Sequence, residues 1–271
     1  MTLQSMKAQP ETAALFISDL HLQEAMPRTA QAFIDFLRVP ARHSQALYLL
    51  GDLFEYWAGD DDMAAPFNAA IVAALRELSD AGVALFWIAG NRDFLIGSAF
   101  AAATGATLLP DPFVTTIAGR KLILAHGDAQ CTDDTGYMGF RAQVRQAEWQ
   151  SAFLARSLVE RKAIIAGMRQ GSRDAQRTIS NEIMDVNAAA IAALFKSAGA
   201  ALMIHGHTHR PARHVTHGSQ GEQIRMVLPD WDVDGDHPRG GWIALDAGGG
   251  LRRVNYDSTA MNVGRNELRR F

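Results

Sequence analysis

Acidic residues, histidines and one asparagine recur in this chain at the ends of apolar runs, and together they make a set of oxygen and imidazole donors suited to divalent metal ions. The densest group is Ile204-His205-Gly206-His207-Thr208-His209-Arg210-Pro211, directly after the apolar run 200–204. An extended strand would send all three histidines to one side, whereas Gly206 permits a turn that re-aims them, so two of the three can meet one site. Taken alone, the stretch reads equally well as a solvated histidine-rich turn. Upstream, Asp19-Leu20-His21 closes the run 13–18, Gly51-Asp52 closes 46–50, Gly90-Asn91-Arg92-Asp93 closes 83–89 and His126-Gly127-Asp128 closes 121–125. In extended backbone Asp19 and His21 share a side and Leu20 turns to the core. Five apolar runs ending this way point to a site beyond the carboxyl ends of strands, where loops converge on a rigid sheet.

The elements that must position these groups alternate between strand and helix. Residues 27–37 have a helical pattern with Ala30, Phe33, Ile34 and Leu37 on one face, and 63–78 form a second helix. A further helix follows Asp93, and the turn at Ala118-Gly119 predicts a hairpin of 113–117 with 121–125. After residue 210 short strands are expected near 214–216, 223–228, 241–245 and 251–256, forming a second, largely antiparallel sheet packed on the first. The loop 53–62 carries Phe54, Glu55, Trp57 and the run Asp60-Asp61-Asp62, which reads as a solvated loop or helix start rather than a metal site.

With 271 residues, 48% of them hydrophobic, the chain can fill a sizeable core. A formal charge of −3 gives no global attraction to nucleic acid, so an anionic partner has to be recognised locally. Cys131 is the one cysteine, which excludes an intrachain disulfide and fits a reducing compartment; it reads as a small packed residue. Residues 1–11 lack the apolar core of a secretory signal, and the charge-free run 94–110 is interrupted by Gly97 and Gly105. A cytoplasmic protein is expected, unless something attaches it to a surface.

Seven groups, Asp19, His21, Asp52, Asn91, His126, His207 and His209, are too many for one ion. Two ions sharing a bridging carboxylate would use them all, in the arrangement that serves phosphoryl transfer. In this order and spacing the motifs Asp19-x-His21, Gly51-Asp52, Gly90-Asn91, His126 and Gly206-His207-x-His209 resemble those of the calcineurin-like metallophosphoesterases. That resemblance implies an α/β fold, a four-layer α/β/β/α sandwich over 13–271 with a helical insertion (lid) at about 134–198. It places Asp19, His21 and His209 on one metal and Asn91, His126 and His207 on the other, with Asp52 bridging and two Mn2+ ions per chain. His205, Asp93 and Asp128 fall outside the motif, either as groups orienting a ligand or as polar residues at strand ends.

Arg92 stands where many family members have histidine. With Gly51-Asp52-Leu53-Phe54-Glu55, Asn91-Arg92-Asp93-Phe94-Leu95, Cys131-Thr132-Asp133-Asp134 and Ile183-Met184-Asp185-Val186-Asn187, it makes the chain similar to the UDP-2,3-diacylglucosamine pyrophosphatases of lipid A biosynthesis. This branch implies a metal-activated water attacking the α-phosphorus of UDP-2,3-diacylglucosamine, giving UMP and an acylated sugar phosphate, at the cytoplasmic face of the bacterial inner membrane as a peripheral protein. No nucleic acid or obligate protein partner is expected. The resemblance places Asn91, Arg92, Asp134, Ser172, Gln176 and His207 on the substrate, while Ile179 stands where the family has a lysine, for which Arg177 can compensate. A guanidinium cannot give up a proton near neutral pH, but it can bind phosphate oxygens in the transition state, which makes Arg92 the candidate catalytic residue. The alternative for Arg92 is a structural ion pair with Asp93 or another carboxylate.

Between His126 and His207 the pattern is helical, with Phe140, Val144, Trp149, Phe153, Leu154, Leu158, Ile164, Ile165 and Met168 as apolar faces. Residues 141–177 hold eight basic groups against Glu148, Glu160 and Asp174, which suits an anionic membrane surface or an acylated, phosphorylated substrate, or else a solvated basic face. The resemblance reads these helices as a lid over acyl chains. Two other functions remain open: a metallophosphoesterase acting on a soluble phosphodiester or phosphoprotein, and a noncatalytic metal-dependent lipid-binding protein.

Overall fold

The computed structural model describes residues 12–176, 185–218 and 221–256. Strands β1 (Thr12–Ile17), β2 (Ala46–Leu49), β3 (Ala84–Ile88) and β4 (Ala106–Leu109) are separated by helices α1 (Pro27–Arg38), α2 (Pro66–Asp80) and α3 (Ser98–Thr104) and pair in parallel. Every residue of β2 is buried, as a parallel strand covered on both faces should be. Proline opens both α1 and α2, where its missing N–H costs nothing. The inner face of α1 carries Phe33, Phe36 and Leu37, and Phe36 packs on Trp231 and Trp242. β4 had no counterpart in the sequence reading, since four residues after an alanine-rich helix give too short a pattern.

The second sheet contains β5 (Phe113–Ile117), β6 (Arg120–Ala125), β7 (Leu202–His205), β8 (Arg213–Gly218) and β9 (Gly221–Val227), in the order β5-β6-β7-β9-β8. The last strands, β10 (Gly241–Asp246) and β11 (Leu251–Asn255), return to the first sheet, ordered β11-β10-β1-β2-β3-β4. The expectation that all strands after residue 210 build the second sheet is therefore corrected. β10 lies antiparallel on β1, with Phe16 opposite Ile243, and its Ile243 and Leu245 fill the core between the sheets beside Phe16, Tyr48, Leu124 and Ile204. Burying that face is worth more than extending a sheet edge.

Helix α7 (Ala188–Ala198) makes the crossover from β6 to the parallel β7 and covers the second sheet with Ile191 and Phe195. Asn187 caps its start by accepting from the N–H groups of Ala189 and Ala190. The layers are thus helix, sheet, sheet, helix. Three helices that a crossover does not need precede α7: α4 (Thr135–Val144), α5 (Ala147–Leu154) and α6 (Leu158–Gln176). Phe153 and the half-buried Trp149, Ile164 and Ile165 pack onto the core around Phe54, Trp57 and Leu95.

Most of the insertion's basic residues face inward. Arg141 meets Asp128 and Asp111, Arg145 donates to the Gly90 carbonyl, Arg161 and Lys162 pair with Asp61 and Asp62, and Arg169 pairs with Glu55. The charge excess is thus spent largely on docking α4 and α6 to the core. The aspartate run is structural too: Asp60 accepts from the N–H groups of Gly97 and Phe100 at the start of α3, and its neighbours anchor α6.

Candidate metal centre and cavity

The strand-end loops bring all seven predicted donors together, by an unexpected backbone device. Asp19, His21, Asp52, His207 and His209 have φ of 55°, 48°, 54°, 67° and 53°, and Ala118 is the one other non-glycine residue with positive φ among the described residues. Left-handed backbone costs a residue with a Cβ of order 1 kcal/mol or more, and such strain persists where surrounding structure enforces it. The expectation of an extended Asp-x-His is corrected: each side chain is swung inward by a left-handed residue, while Leu20 between them is buried as expected. Two glycines permit the close approach. A Cβ on Gly90 would lie 2.1 Å from Asp52 Oδ1, and one on Gly206 2.2 Å from Asp19 Oδ2.

Two subclusters share Asp19. In one, ligating atoms of Asp19, His21 and His209 lie within 4.8 Å of one another; in the other, those of Asp19, Asp52 and His126 do. Asp52 Oδ2 stands between them, 3.9 Å from His21 Nε2 and 3.7 Å from His126 Nε2, while Oδ1 accepts from the Arg92 N–H. Asn91 Oδ1 lies 2.9 Å from His126 Nε2 and 3.0 Å from His207 Nδ1.

This donor set fits cations. The Nε2 atoms of His21 and His209 face each other at 3.2 Å, and Asp19 Oδ1 is buried without a hydrogen-bond partner. His126 Nδ1 donates to the Leu50 carbonyl, which turns Nε2 toward the cluster. Burial works against the charged form of His126, yet the fields of Asp52, Asp19 and Asp128 push it up to about 9. Burial and the charge of Asp52 push Asp93 up to about 7 even though it accepts from the Gly90 and Leu53 N–H groups. For Asp19, burial is outweighed by His209, His126 and His21, which hold it well below the carboxylate range. The field that draws a proton to His126 is the field that would hold a divalent cation in its place.

The remaining candidates separate. His205 turns away from the cluster: it donates from Nδ1 to the Gly206 carbonyl and accepts at Nε2 from Arg225, and burial pushes it down to about 3. His207 and His209 are thus the two of three that meet the site. Arg92 lines the cavity, and among the described residues no carboxylate lies within ion-pair distance of its guanidinium, so the structural pair with Asp93 is not formed. Asp134 lines the cavity and caps α4 by accepting from the Tyr137 N–H. The side chains of Ser172, Gln176, Arg177 and Ile179 lie outside the described residues. Burial pushes the Cys131 thiol up to about 12, consistent with a packed, unreactive residue.

Tyr137 had no role in the sequence pattern, and Asp128, Arg141 and Glu55 had none beyond a strand end, a basic face and a motif position. Asp128 accepts from Tyr137 Oη at 2.5 Å and Arg141 Nε at 2.8 Å, and the Tyr137 ring lies against His207. The spacing of Tyr137, Arg141 and Arg145 puts all three on one helical face, a signal that was available. Glu55 lies between the core and the insertion: Oε2 is 3.0 Å from His21 Nδ1, an oblique approach short of an aligned hydrogen bond, and Oε1 meets Arg169. Burial opposes its ionisation, but His21, Arg92 and Arg169 lower its pKa.

The donor cluster lines one part of a cavity of about 920 Å³, near the upper end for small-molecule sites. His21, Asp52, Asn91, Arg92, His207 and His209 line that part, and Phe94, Phe140, Trp149, Phe153, Ile165 and Met168 line the part under the insertion. Phe140 and Met168 also reach solvent, so the apolar wall continues to the surface.

A profile of the calcineurin-like phosphoesterases matches residues 13–211. A protein of Aromatoleum aromaticum named UDP-2,3-diacylglucosamine hydrolase is 50% identical over 228 residues, covering 84% of this chain and 92% of its own. Proteins of the same name from Bordetella pertussis and Cellvibrio japonicus are 46% and 44% identical, covering 86% and 90% of this chain and 91% and 98% of theirs.

Proposed function

The chain belongs to the calcineurin-like phosphoesterase family, and from that premise we propose that it hydrolyses UDP-2,3-diacylglucosamine to UMP and 2,3-diacylglucosamine 1-phosphate (lipid X) in lipid A biosynthesis. The observation that carries this reading beyond the family is the continuity of the cavity, with metal-ligand types and Arg92 at one end and aromatic and aliphatic walls at the other. A pyrophosphate joined to an acylated sugar has that polarity. Turnover of the UDP-lipid compared with cyclic nucleotides and phosphopeptides tests it, and equal or better turnover of a soluble phosphoester would overturn the assignment.

In this reading Asp19, His21 and His209 would hold one ion, Asn91, His126 and His207 the other, and Asp52, placed near His21 and His126, would serve both. Two divalent ions would supply an activated water and charge neutralisation for in-line displacement at phosphorus. Arg92 binds pyrophosphate oxygens, with its backbone fixed by Asp52 and its guanidinium free of ion pairs among the described residues. Asp134, Ser172 and Gln176 are assigned to the glucosamine or its phosphate. We assign Mn2+ to the site because oxygen donors and neutral imidazoles, without thiolate, suit it. Activity should vanish on chelation and return best with Mn2+ added alone; stronger recovery with Zn2+ or Fe2+ would replace that assignment.

Attack is expected at the UMP phosphorus, so that lipid X leaves as a phosphate and needs little protonation. That suits Arg92, which cannot act as a proton donor. Hydrolysis in ¹⁸O water should label UMP; label in lipid X would reverse the orientation of the substrate. We place the protein peripherally at the cytoplasmic face of the inner membrane. No described helix is long and apolar enough to span a membrane, and the apolar wall opening through Phe140 and Met168 gives acyl chains an entry from a lipid surface.

A further inference from the structure

We infer that Arg169 and Glu55 are positioning residues for His21, forming a relay through which the placement of α6 sets the affinity of the metal centre. The inference rests on the reading of His21 as a metal ligand. Glu55 lies in the loop after β2, and its two oxygens are divided: Oε2 is 3.0 Å from His21 Nδ1 and Oε1 meets the guanidinium of Arg169. Arg169 is itself placed by the Tyr56 ring, 5.5 Å below its Cζ. His21 Nε2 points to the cluster, so the Nδ1 side is the one a carboxylate can use to fix the ring, and Glu55 is the acidic residue there.

The position of Arg169 on α6 gives the contact a function beyond fixing a ring. Ile165 and Met168, one turn and one residue before it, line the apolar part of the cavity, so one stretch of helix touches both the space under the insertion and the carboxylate behind His21. Whatever fixes α6 fixes Arg169, and with it Glu55 and the ring. By linkage, ions that order His21 should also hold α6 down, with the same coupling free energy in both directions. A carboxylate–histidine contact alone would act on the metal without reporting on the insertion; Arg169 supplies that connection.

The test reads metal binding, which does not depend on the identity of the substrate. Mn2+ affinity is measured by titration calorimetry and by the free-ion EPR signal for the wild type, Glu55→Gln, Arg169→Met and the double variant, with thermal unfolding of each without metal. Glu55→Gln should weaken one of the two ions by about 10- to 100-fold, the range for groups that orient a ligand. Arg169→Met should weaken the same ion by roughly 5-fold or more. The double variant should be no worse than Glu55→Gln, because Arg169 acts through Glu55. Arg169→Lys should recover part of the loss, and Arg169→Gln replaces Arg169→Met in the cycle if the latter does not fold. Wild-type affinity in the folded Arg169 variant, or a double variant whose loss is the product of the single losses, would overturn the relay, even if unfolding temperatures fall. His21→Ala separates the premise: wild-type binding of both ions there removes His21 from the centre, and the relay with it.

Discussion

Replacing Asp52 should abolish turnover while leaving the fold intact. Its carboxylate stands between the two histidine groups, with Oδ2 less than 4 Å from both His21 Nε2 and His126 Nε2. A side chain in that position would serve both ions, and Asp93 cannot take its place, because its two oxygens accept from the backbone N–H groups of Leu53 and Gly90. Losing the bridge removes several kcal/mol of charge stabilisation in the transition state; at about 1.4 kcal/mol per tenfold, about 4 kcal/mol is a 10³-fold fall in kcat. Asp52→Ala also loses the bond to the Arg92 N–H and places an unsupported Cβ at a φ of 54°. Asp52→Asn is the cleaner variant, because asparagine tolerates left-handed backbone and its amide oxygen can accept that same N–H. Both should retain the wild-type far-UV circular dichroism spectrum and bind fewer than two ions. Wild-type turnover with two ions still bound would exclude Asp52 as the bridge.

The location of this centre was readable because each donor follows an apolar run, and a buried strand leaves its chemistry at its end. The way the donors meet was not readable. Period-two reasoning assigns Asp19 and His21 to one side of a strand, but both are left-handed, as are Asp52, His207 and His209. Local propensity gives no warning of such strain, because the loops around Gly51, Gly90 and Gly206 impose it from outside. Sheet membership failed for a related reason. The residues of β10 read as a short strand, but its partner, β1, lies more than two hundred residues earlier, and only packing against Phe16 and Leu50 selects it. The insertion was read by composition, as surplus positive charge. Arg141, Arg161, Lys162 and Arg169 instead find Asp128, Asp111, Asp61, Asp62 and Glu55, of which Asp61 and Asp62 look like loop solvation and Asp128 like an ambiguous strand-end group when taken one at a time. Pair chemistry across thirty or a hundred residues has no sequence period to reveal it.

The same docking should make the acyl chains a source of rate. Trp149 and Phe153 stack at 4.9 Å and, with Phe94, Ile165 and Met168, form a wall fixed to the core through Arg145, Arg161 and Lys162. A fixed wall is ordered before the substrate arrives, so chain burial is not spent on folding the lid. Each methylene moved from water to such a surface contributes about 0.8 kcal/mol, and five of them about 4 kcal/mol, roughly a thousandfold in kcat/KM. Removing both acyl chains should therefore lower kcat/KM by at least about 10³, far beyond the effect of trimming one rim contact such as Phe140. Part of the loss should fall on kcat, because binding energy from the remote chain also holds the pyrophosphate in line with the centre. Steady-state kinetics with the deacylated sugar nucleotide, at saturating Mn2+, measures both parts. Unchanged kinetics would show that the cavity beneath α4, α5 and α6 does not receive the chains, and would leave the metal chemistry untouched. A loss confined to KM would mean that the apolar wall captures the substrate without aligning it.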